Sequence, residues 1–425
     1  RFAQWKIDKA GRGVLGFITN HSWLDSPTFR GMRQSLMTSF DEIHVLDLHG
    51  NSLKKEKCPD GSKDENVFDI QQGVAISIFV KNPASPSPQL FSTRGEGEKG
   101  ATVNHAEIWG LREDKYEWLK KNDIKKTKWK AINPTTPYYF FVPREEKYRE
   151  IYEKFWKVTD IFSVNATGIV TARDHFVIDF NKSALESRIM TFRNKSESDE
   201  VVQRGLGLKE NYMWRVSKAR KELIEVKNWK EYFTKILYRP FDVRYIYYHP
   251  SVVWRTRKNV MRHMLMENLG LITNRQVNGD FRHVLCTDII INDCTVSLET
   301  KERSYLFPLY IYGESFEEKT EHFIRKPNIS PALMEELKKA YKKTPSAEDV
   351  FYYIYGVLYS NTYREKYREF LKIDFPRVPF TKDHKLFIKT GEYGKELVEL
   401  HLMKSKRLDK PYAKFEGKGD SRARK

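Results

Sequence analysis

The stretch Val14-Leu-Gly-Phe-Ile-Thr19 is an apolar run typical of a β-strand, and it decides how the first part of this chain folds. Residues 29–36 follow as a predicted amphipathic helix, with Arg30 and Arg33 expected on its solvent side. Two more strand-like runs come next: Ile43-His-Val-Leu-Asp-Leu48 and Val74-Ala-Ile-Ser-Ile-Phe-Val80. This order predicts an α/β sheet that closes with an antiparallel pair of strands.

Composition narrows the class of protein. The 425 residues hold 75 Lys and Arg against 57 Asp and Glu, a net charge of +18, which favours a polyanionic partner. No apolar run approaches the roughly 20 residues that span a bilayer, so we expect no membrane insertion and prefer nucleic acid over an anionic membrane. The three cysteines are scattered and predict a reducing, cytoplasmic location.

No metal site is predicted from the sequence. His283, Cys286 and Cys294 are the nearest approach to a zinc site, but their spacing matches no common ligand pattern and a fourth ligand is not evident. We therefore expect partly buried, unreactive thiols. Asp179 and Lys182 are similarly too few to define a metal-dependent nuclease.

The length predicts two or three domains, and changes of pattern along the chain suggest where they begin and end. The middle of the chain alternates strand-like runs, among them 176–180, with basic helices around 198–236 and 257–267. After Pro327 the pattern is helical. The predicted segments are a sheet domain over 1–100, a connector over 101–158, a mixed α/β domain over 159–320, a helical module over 321–401 and a basic tail over 402–425.

Two helix starts are predicted within the helical module. Ser330 with Pro331 begins one helix, and Ser346-Ala-Glu-Asp349 has the pattern of a capping box for another. The second helix carries an aromatic and apolar stripe at helical spacing, which we interpret as packing and not as a platform for bases. The stripe consists of Phe351, Tyr352, Tyr355, Leu358 and Tyr359.

A window over residues 239–282 combines basic and aromatic side chains and is the best candidate for contact with nucleic acid. Within it, Trp254-Arg-Thr-Arg-Lys258 is suited to phosphates, and Asn274-Arg-Gln-Val-Asn278 to base edges, because Arg and Gln form bidentate pairs with bases. The alternative is that these are ordinary solvated faces. The residues chosen for DNA contact are Arg173, Arg244, Arg255, Arg257, Lys258, Arg262, Arg275 and Gln276.

Phe68, in Asn66-Val-Phe-Asp-Ile70, is the candidate catalytic-site residue of the first domain. An enzyme that modifies a base inside a duplex must rotate it out of the stack, and an aromatic face at the pocket mouth recovers part of the lost stacking. The competing hypothesis is that Phe68 is a core residue beside the sheet.

Several motifs resemble those of a known family. In the first domain they are Gly13-Val-Leu-Gly-Phe-Ile-Thr-Asn20, Phe29-Arg-Gly-Met-Arg33, Leu46-Asp-Leu-His-Gly50 and Asn66-Val-Phe-Asp-Ile-Gln-Gln-Gly-Val74. They are similar to the part of an adenine-N6 DNA methyltransferase downstream of its catalytic Asn-Pro-Pro-Tyr motif. Further motifs resemble the target-recognition and C-terminal helical regions of type ISP and type IIG single-polypeptide restriction-modification enzymes: Thr167-Gly-Ile-Val-Thr-Ala-Arg-Asp174, Tyr238-Arg-Pro-Phe-Asp-Val-Arg244, Val260-Met-Arg-His-Met264, Phe307-Pro-Leu-Tyr310, Phe351-Tyr-Tyr-Ile-Tyr355 and Asp374-Phe-Pro-Arg377.

The resemblance implies the C-terminal half of a Rossmann-like methyltransferase sheet, followed by the target-recognition domain. It implies double-stranded DNA as partner, S-adenosylmethionine as cofactor of the intact enzyme, and a role for Phe68 against the extruded adenine. The remainder of the same polypeptide would supply the other methyltransferase half, and in this family often nuclease and helicase-like domains.

The sequence departs from that family in one respect that limits activity. It has no S-adenosylmethionine loop of the Phe-x-Gly-x-Gly type and no Asn-Pro-Pro-Tyr, and the nearest approach, Asn133-Pro-Thr-Thr, follows the sheet. The chain also begins at Arg1, so we expect a fragment that is inactive alone. Two alternatives stay open: a non-enzymatic DNA-binding specificity module that acts with separate catalytic subunits, and an RNA-binding or RNA-modifying protein.

Overall fold

The structure is a computed structural model, and it describes residues 1–83, 101–144, 147–277, 279–298, 302–313 and 325–410. Two compact units divide the chain, residues 1–145 and 146–425. Part of the predicted sheet domain, most of the predicted basic tail, and Asn278 lie outside the described residues.

The first unit is built on one mixed sheet. Its elements are α1 (Phe2–Ala10), β1 (Gly13–Asn20), α2 (Arg30–Ser39), β2 (Glu42–Asp47), β3 (Val74–Lys81), β4 (Thr102–Glu107), α3 (Arg112–Lys121) and β5 (Lys130–Ile132). The strands are ordered β1-β3-β2-β4-β5. Strand β3 is antiparallel to both β1 and β2, and β2 is parallel to β4. The three predicted strands and the antiparallel pair that closes them are therefore confirmed.

The core of this unit lies against the central strands, where apolar side chains of β2 and β3 meet aromatic side chains from the flanking segments. Its fully or nearly fully buried members include Trp23, Phe40, Ile43, Val45, Phe79, Val103 and Phe141. The boundary predicted at residue 100 falls inside this sheet, because β4 forms a parallel register with β2 from Glu42–Thr102 to Asp47–Glu107.

Arg33 is buried, so its predicted position on the solvent side of α2 is wrong. Its guanidinium donates hydrogen bonds to the backbone carbonyls of Trp23 and Tyr138, with the Nη2 bond to Tyr138 at 2.6 Å. Burial lowers the pKa of Arg33 to about 10, with the charge of Asp25 opposing that shift. Arg33 thus joins α2 to two loops that cover the core.

The second unit contains more elements. Its first half comprises α4 (Arg149–Glu153), β6 (Trp156–Lys157), α5 (Val158–Ile161), β7 (Ala166–Thr167), α6 (Asp174–Val177), β8 (Ile178–Asp179), α7 (Lys182–Arg193), α8 (Asp199–Gly205), α9 (Val216–Glu225), β9 (Phe233–Arg239), β10 (Asp242–Tyr247) and α10 (Lys258–Met261). Its second half comprises β11 (Gly270–Asn274), β12 (Val284–Thr287), β13 (Ile290–Ile291), β14 (Ser304–Pro308), β15 (Tyr310–Tyr312), β16 (Arg325–Pro327), α11 (Pro331–Tyr341), α12 (Ala347–Tyr359), α13 (Asn361–Lys366), α14 (Arg368–Leu371), β17 (Arg377–Val378) and α15 (His384–His401).

Two four-stranded sheets organise this unit, one ordered β13-β9-β10-β8 and the other β12-β11-β14-β7. The first sheet shares an apolar core with the helices between residues 174 and 225. The second shares a core with the helices between 331 and 398, so residues from both the predicted 159–320 and 321–401 segments pack into one cluster. Among the described residues, no helix combines the length and the apolar character needed to cross a bilayer.

Some local predictions for this unit are wrong. Residues 174–177 form the helical turn α6, so the strand predicted over 176–180 is reduced to β8. The helix predicted toward residue 236 ends at Glu225, and Phe233 begins β9 instead. In both places the apolar side chains of the run face the core shared with the first sheet, and tertiary packing decides the backbone conformation.

The predicted helix starts in the C-terminal region are confirmed. Pro331 is the first residue of α11, and Ser346 and Asp349 form a capping box at the start of α12. The aromatic stripe of α12 packs into the core, with Phe351, Tyr355 and Leu358 buried.

Helices α12 and α15 approach each other closely at two glycines. A Cβ added to Gly394 would lie 1.8 Å from the carbonyl oxygen of Tyr352, and one added to Gly356 would lie 2.5 Å from that of Thr390. Neither backbone can shift independently of its helix. A glycine at these positions is therefore required for the distance between the two helices.

We predict that Gly394→Ala lowers the free energy of unfolding by about 1–3 kcal/mol or more, because the new methyl group must push α15 away from α12. Gly391→Ala is the matched control in the same helix, since its Cβ would lie 3.8 Å from the Asp349 carbonyl, an ordinary contact. The control should be neutral or gain up to about 1 kcal/mol of helix propensity. Urea denaturation measures both, and equal stability of the two variants would contradict the close packing.

Candidate functional site

Phe68 lies at an open pocket of about 630 Å³ in the first unit. Its side chain is 45% exposed, so the hypothesis that Phe68 is a core residue is wrong. The walls come from the loop between β2 and β3 and from the start of α3: Gly50, Ser52, Lys63, Asp64, Glu65, Asn66, Asp69, Ile70, Gln71, Arg112 and Glu113. An exposed ring at a pocket wall can pack against a planar ligand.

The backbone around Phe68 is held on both sides. Asn66 accepts a hydrogen bond from the Phe68 amide at 2.9 Å and donates to the carbonyls of Gly50 and Gln72. Arg112 donates to the carbonyls of Asn66 and Phe68 and to the carboxylate of Asp69 at 2.7 Å. The hydrogen bond to Asp69 raises the pKa of Arg112. These contacts fix the main chain around Phe68, while the ring itself stays exposed to solvent.

A buried ion pair lies beneath this loop. The side chains of Lys115 and Asp64 are both 0% exposed and meet at 2.7 Å. The Lys115 ammonium also donates to the carbonyls of Leu48 and Glu65, so its three donors are satisfied. Asp64 accepts from the amides of Gly50 at 2.6 Å and Gly110 at 3.0 Å.

Gly50 lies in the same loop and has a left-handed backbone conformation, with φ of +82°. A Cβ at Gly50 would lie 2.4 Å from the Cα of Asn66. Only glycine therefore allows the end of β2 to approach the segment that carries Phe68.

In the second unit, a backbone bridge joins two of the basic motifs. The amide of Arg255 donates to the carbonyl of Val170 at 2.8 Å, and the amide of Val170 donates back to Arg255 at 3.1 Å. The stretches 167–174 and 254–258 therefore lie side by side. Arg255 and Lys258 are exposed there, and Arg257 is half-buried.

Arg173 is buried, with an exposed fraction of 4%, and its guanidinium carbon lies 3.5 Å from the ring centroid of Trp214. Its Nε and Nη1 groups have no hydrogen-bond partner in the described structure. Desolvation by burial lowers the pKa of Arg173 to about 10. In this conformation Arg173 does not belong to the exposed basic surface.

Arg244 contacts two aromatic rings. Its guanidinium carbon lies 4.1 Å from the Phe180 ring and 4.0 Å from the Tyr238 ring, and Asp242 pairs with it through both carboxylate oxygens. The guanidinium carbon of Arg239 also lies 4.0 Å from the Tyr238 ring centroid. Arg239 was missed among the candidate residues, although it belongs to the same sequence motif. Burial and the hydrogen bond to Asp174 raise the pKa of Tyr238. We call Tyr238, Arg239 and Arg244 the arginine–tyrosine cluster.

The remaining candidates lie elsewhere in the unit. Arg262 is half-buried at the end of α10. Arg275 and Gln276 follow β11 and contact the chain after α14 instead of the 170–255 bridge: Arg275 pairs with Asp374 at 3.1 Å, and Gln276 donates to the carbonyl of Ile373 at 3.3 Å. The structure therefore gathers Arg255, Arg257 and Lys258, and it separates Arg275 and Gln276 from them as a second location.

His283, Cys286 and Cys294, which the sequence analysis considered as zinc ligands, make other contacts. His283 pairs with Glu302 at 3.0 Å, and Cys286 is buried beside α15, where burial raises the pKa of its thiol to about 12. Cys294 lies 3.1 Å from the guanidinium of Arg303. Burial also raises the pKa of the Cys294 thiol, which agrees with the expectation of unreactive thiols.

Comparison with known proteins gives the family. Residues 160–425 match the Type ISP C-terminal specificity domain. No curated protein matched the chain. Three solved structures share the fold at 24% identity: a DrdV–DNA complex (TM-score 0.67), a nuclease-deletion mutant of the Type ISP restriction-modification enzyme LlaGI with a DNA substrate mimic (0.63), and the ATP-dependent Type ISP enzyme LlaBIII bound to DNA (0.69).

The coverage of these structures is unequal. They cover 94%, 92% and 95% of this chain, whereas this chain covers 39%, 30% and 26% of theirs. The similarity therefore includes the first unit as well as the second, and it confirms the mixed α/β fold. Because the family match extends over well more than half of its residues, the chain belongs to the Type ISP C-terminal specificity domain family.

Proposed function

We propose that this chain is the DNA-recognition part of a restriction-modification enzyme that transfers a methyl group from S-adenosylmethionine to adenine N6. The second unit selects the DNA sequence, and the first unit supplies one wall of the pocket for the extruded adenine. The chain spans less than half of the length of the similar solved proteins. In this proposal, the remainder of the intact polypeptide supplies the methyl-donor loop and the catalytic motif.

The observation that carries this proposal is the position of Phe68. Its ring is exposed at a pocket wall, while Asn66 and Arg112 fix its backbone and the Lys115–Asp64 pair supports the loop. An aromatic face held in this way is suited to stack on a base that has left the duplex. The pocket wall therefore agrees with the role implied by the sequence motif.

Charge and chemistry support duplex DNA as the partner. The net charge of +18 favours a polyanion. Arg255 and Lys258 are both exposed in the short stretch that forms the bridge to Val170. The flat guanidinium groups of the arginine–tyrosine cluster suit base edges or phosphates. The similar solved proteins are bound to DNA or to a DNA substrate mimic.

The first unit also has a surface that fits the rest of a methyltransferase sheet. Among the described strands β1 pairs only with β3, which leaves its other edge open. Val14, Phe17 and Ile18 are exposed on β1, and Phe2 and Trp5 are exposed on α1. An open edge with apolar side chains favours pairing with a further strand. We assign it to the missing half of the sheet.

We predict that the double variant Arg255→Ala, Arg257→Ala weakens binding to duplex DNA of every sequence. Two lost phosphate contacts should reduce the slope of log K against log salt by about 2. Fluorescence anisotropy at several salt concentrations measures this slope.

The matched control for that variant removes the same charge elsewhere in the unit. Lys218→Ala, Lys221→Ala changes two exposed residues of α9 and should keep the original slope. If both double variants behave alike, net charge alone explains binding and the basic surface at the bridge is wrong.

We predict that Gln276→Ala relaxes the preference at one base pair while changing overall affinity little, because an amide side chain reads a base edge through paired hydrogen bonds. Selection from a randomised duplex library measures preference at each position. Gln203→Ala is the control, since Gln203 is also half-buried and donates to a carbonyl, that of Leu208. An unchanged selected sequence for Gln276→Ala would remove this residue from base readout.

We predict that Phe68→Ala in the complete enzyme slows adenine methylation by about 10-fold or more and largely spares DNA binding, because about 1–3 kcal/mol of stacking is lost. Phe68→Trp should restore most of the rate. Leu53→Ala removes a comparably exposed apolar side chain, one that is not a wall of the pocket, and should methylate normally. Single-turnover transfer of labelled methyl groups measures the rates, and normal turnover of Phe68→Ala would contradict the stacking role.

A further inference from the structure

Two histidines and a glutamate converge where the sheet of the first unit ends. His21 directly follows β1, His49 follows β2, and Glu56 lies in the loop beyond them. One ligand-type atom from each lies within 4.8 Å of the others. The His21 Nε2 is 4.0 Å from a carboxylate oxygen of Glu56, and the His49 Nδ1 is 3.9 Å from the other oxygen.

Each histidine is oriented by a carboxylate on its opposite ring nitrogen. The His21 Nδ1 contacts Asp47 at 2.9 Å, and the His49 Nε2 contacts Glu107 at 3.3 Å. Metal-binding histidines commonly have this arrangement, because a carboxylate that accepts from one ring nitrogen fixes the tautomer and directs the other lone pair at the metal. The remaining nitrogens, Nε2 of His21 and Nδ1 of His49, lie 4.0 and 3.9 Å from Glu56, and Nδ1 of His49 is also 3.9 Å from Asp47.

The cluster leaves a buried acceptor without a partner. Nδ1 of His49 is buried and makes no hydrogen bond in the described structure. The ring cannot easily turn to find one, because it is stacked on Trp109 with centroids 3.4 Å apart and planes 14° from parallel. A buried polar atom without a partner is costly, and a cation at the centre of the cluster would satisfy it.

We propose that His21, His49 and Glu56 bind a divalent transition-metal ion, with Zn²⁺ as the best match. Two imidazoles and one carboxylate suit zinc and neighbouring metals, whereas Mg²⁺ and Ca²⁺ prefer oxygen ligands. Bonds of about 2.0–2.1 Å place tetrahedral ligands about 3.3 Å apart, so the ligand atoms need to approach one another by about 0.6–1.5 Å. This site goes against the expectation from sequence that the chain holds no metal.

Binding exchanges one existing hydrogen bond. The Asn51 side-chain amide contacts Nε2 of His21 at 3.3 Å, and the metal takes that lone pair in its place. Glu56 is already held by the backbone amide of Asn51 at 2.9 Å, which keeps its carboxylate at the cluster. The reorganisation therefore involves the side chains of His21, Asn51 and the other two ligands.

The position of the cluster gives the metal a structural role. Gly50 and Ser52, two walls of the Phe68 pocket, lie in the same loop between His49 and Glu56. On the other side, a Cβ at Gly73 would lie 2.4 Å from the His21 ring, and the His21 amide donates to the Gly73 carbonyl at 2.9 Å. The ion would thus tie both ends of the loop that displays Phe68, and this holds independently of the proposed function.

The test is metal binding by the full 425-residue chain after treatment with a chelator and dialysis. Isothermal titration with Zn²⁺ should give one site per chain, and Co²⁺ should give the visible absorption of a four- or five-coordinate ion. His49→Gln and Glu56→Gln should lose the site. Asp47→Asn, which leaves the ligands intact, should weaken it by about 10–100-fold.

His44→Gln is the control, because His44 lies on β2 but pairs with Glu42 and packs edge-to-face against Trp129, outside the cluster. It should bind metal like the unchanged chain. The proposal is overturned if the unchanged chain shows no saturable site, if only octahedral Co²⁺ absorption appears, or if His44→Gln and His49→Gln behave alike. The Co²⁺ spectrum of the unchanged chain decides the matter even where a variant fails to fold.

Discussion

The buried pair of Lys115 and Asp64 is the interaction on which the first unit's functional surface depends. Removing one partner of such a pair leaves a charge in a low-dielectric interior, a loss of about 3–5 kcal/mol. Here the pair also joins the end of β2, through Leu48 and Gly50, to the segment just before Phe68. Because every donor of the ammonium is engaged, the lysine specifies one loop conformation and not merely a charge balance.

The cationic side chains of the second unit fall into two groups, one restricted by aromatic rings and one exposed to solvent. Arg173 is buried against the Trp214 ring, and Arg244 contacts the Phe180 ring and is paired with Asp242, so the conformation of each is restricted. Arg255 and Lys258 are exposed on either side of the half-buried Arg257. Restricted planar groups favour directional recognition, whereas flexible exposed charges favour sequence-independent contact with phosphates. Arg275 and Gln276 lie apart from the bridge between Val170 and Arg255, so the candidate DNA-contact residues occupy separate locations in the unit.

Periodicity and capping residues allowed the strands β1 to β3, the start of α11 and the capping box of α12 to be predicted, because those signals are local. Burial of a cation is not local. Arg33 can be buried because the backbone carbonyls of Trp23 and Tyr138 accept hydrogen bonds from its guanidinium. These partners lie outside α2, so the pattern of the helix does not reveal them. The exposure of Phe68 depends in the same way on Asn66 and Arg112. His21 follows β1, whereas His49 and Glu56 lie in the loop after β2, so their spacing in the sequence gave no metal motif.

The loop from His49 to Gly73 is constrained from two sides, which bears on how the Phe68 pocket can be preorganised. The Lys115–Asp64 pair holds its middle, and the cluster of His21, His49 and Glu56 lies at its two ends. A wall that is already ordered does not have to lose conformational entropy when a ligand enters, so more of the stacking free energy is available for binding. The exposed ring of Phe68 does not stabilise the loop by burial, so the remaining contacts of the loop must stabilise its backbone. A change in the cluster would therefore reach Phe68 through the backbone between Gly50 and Asn66, where the two segments are too close for any side chain at position 50.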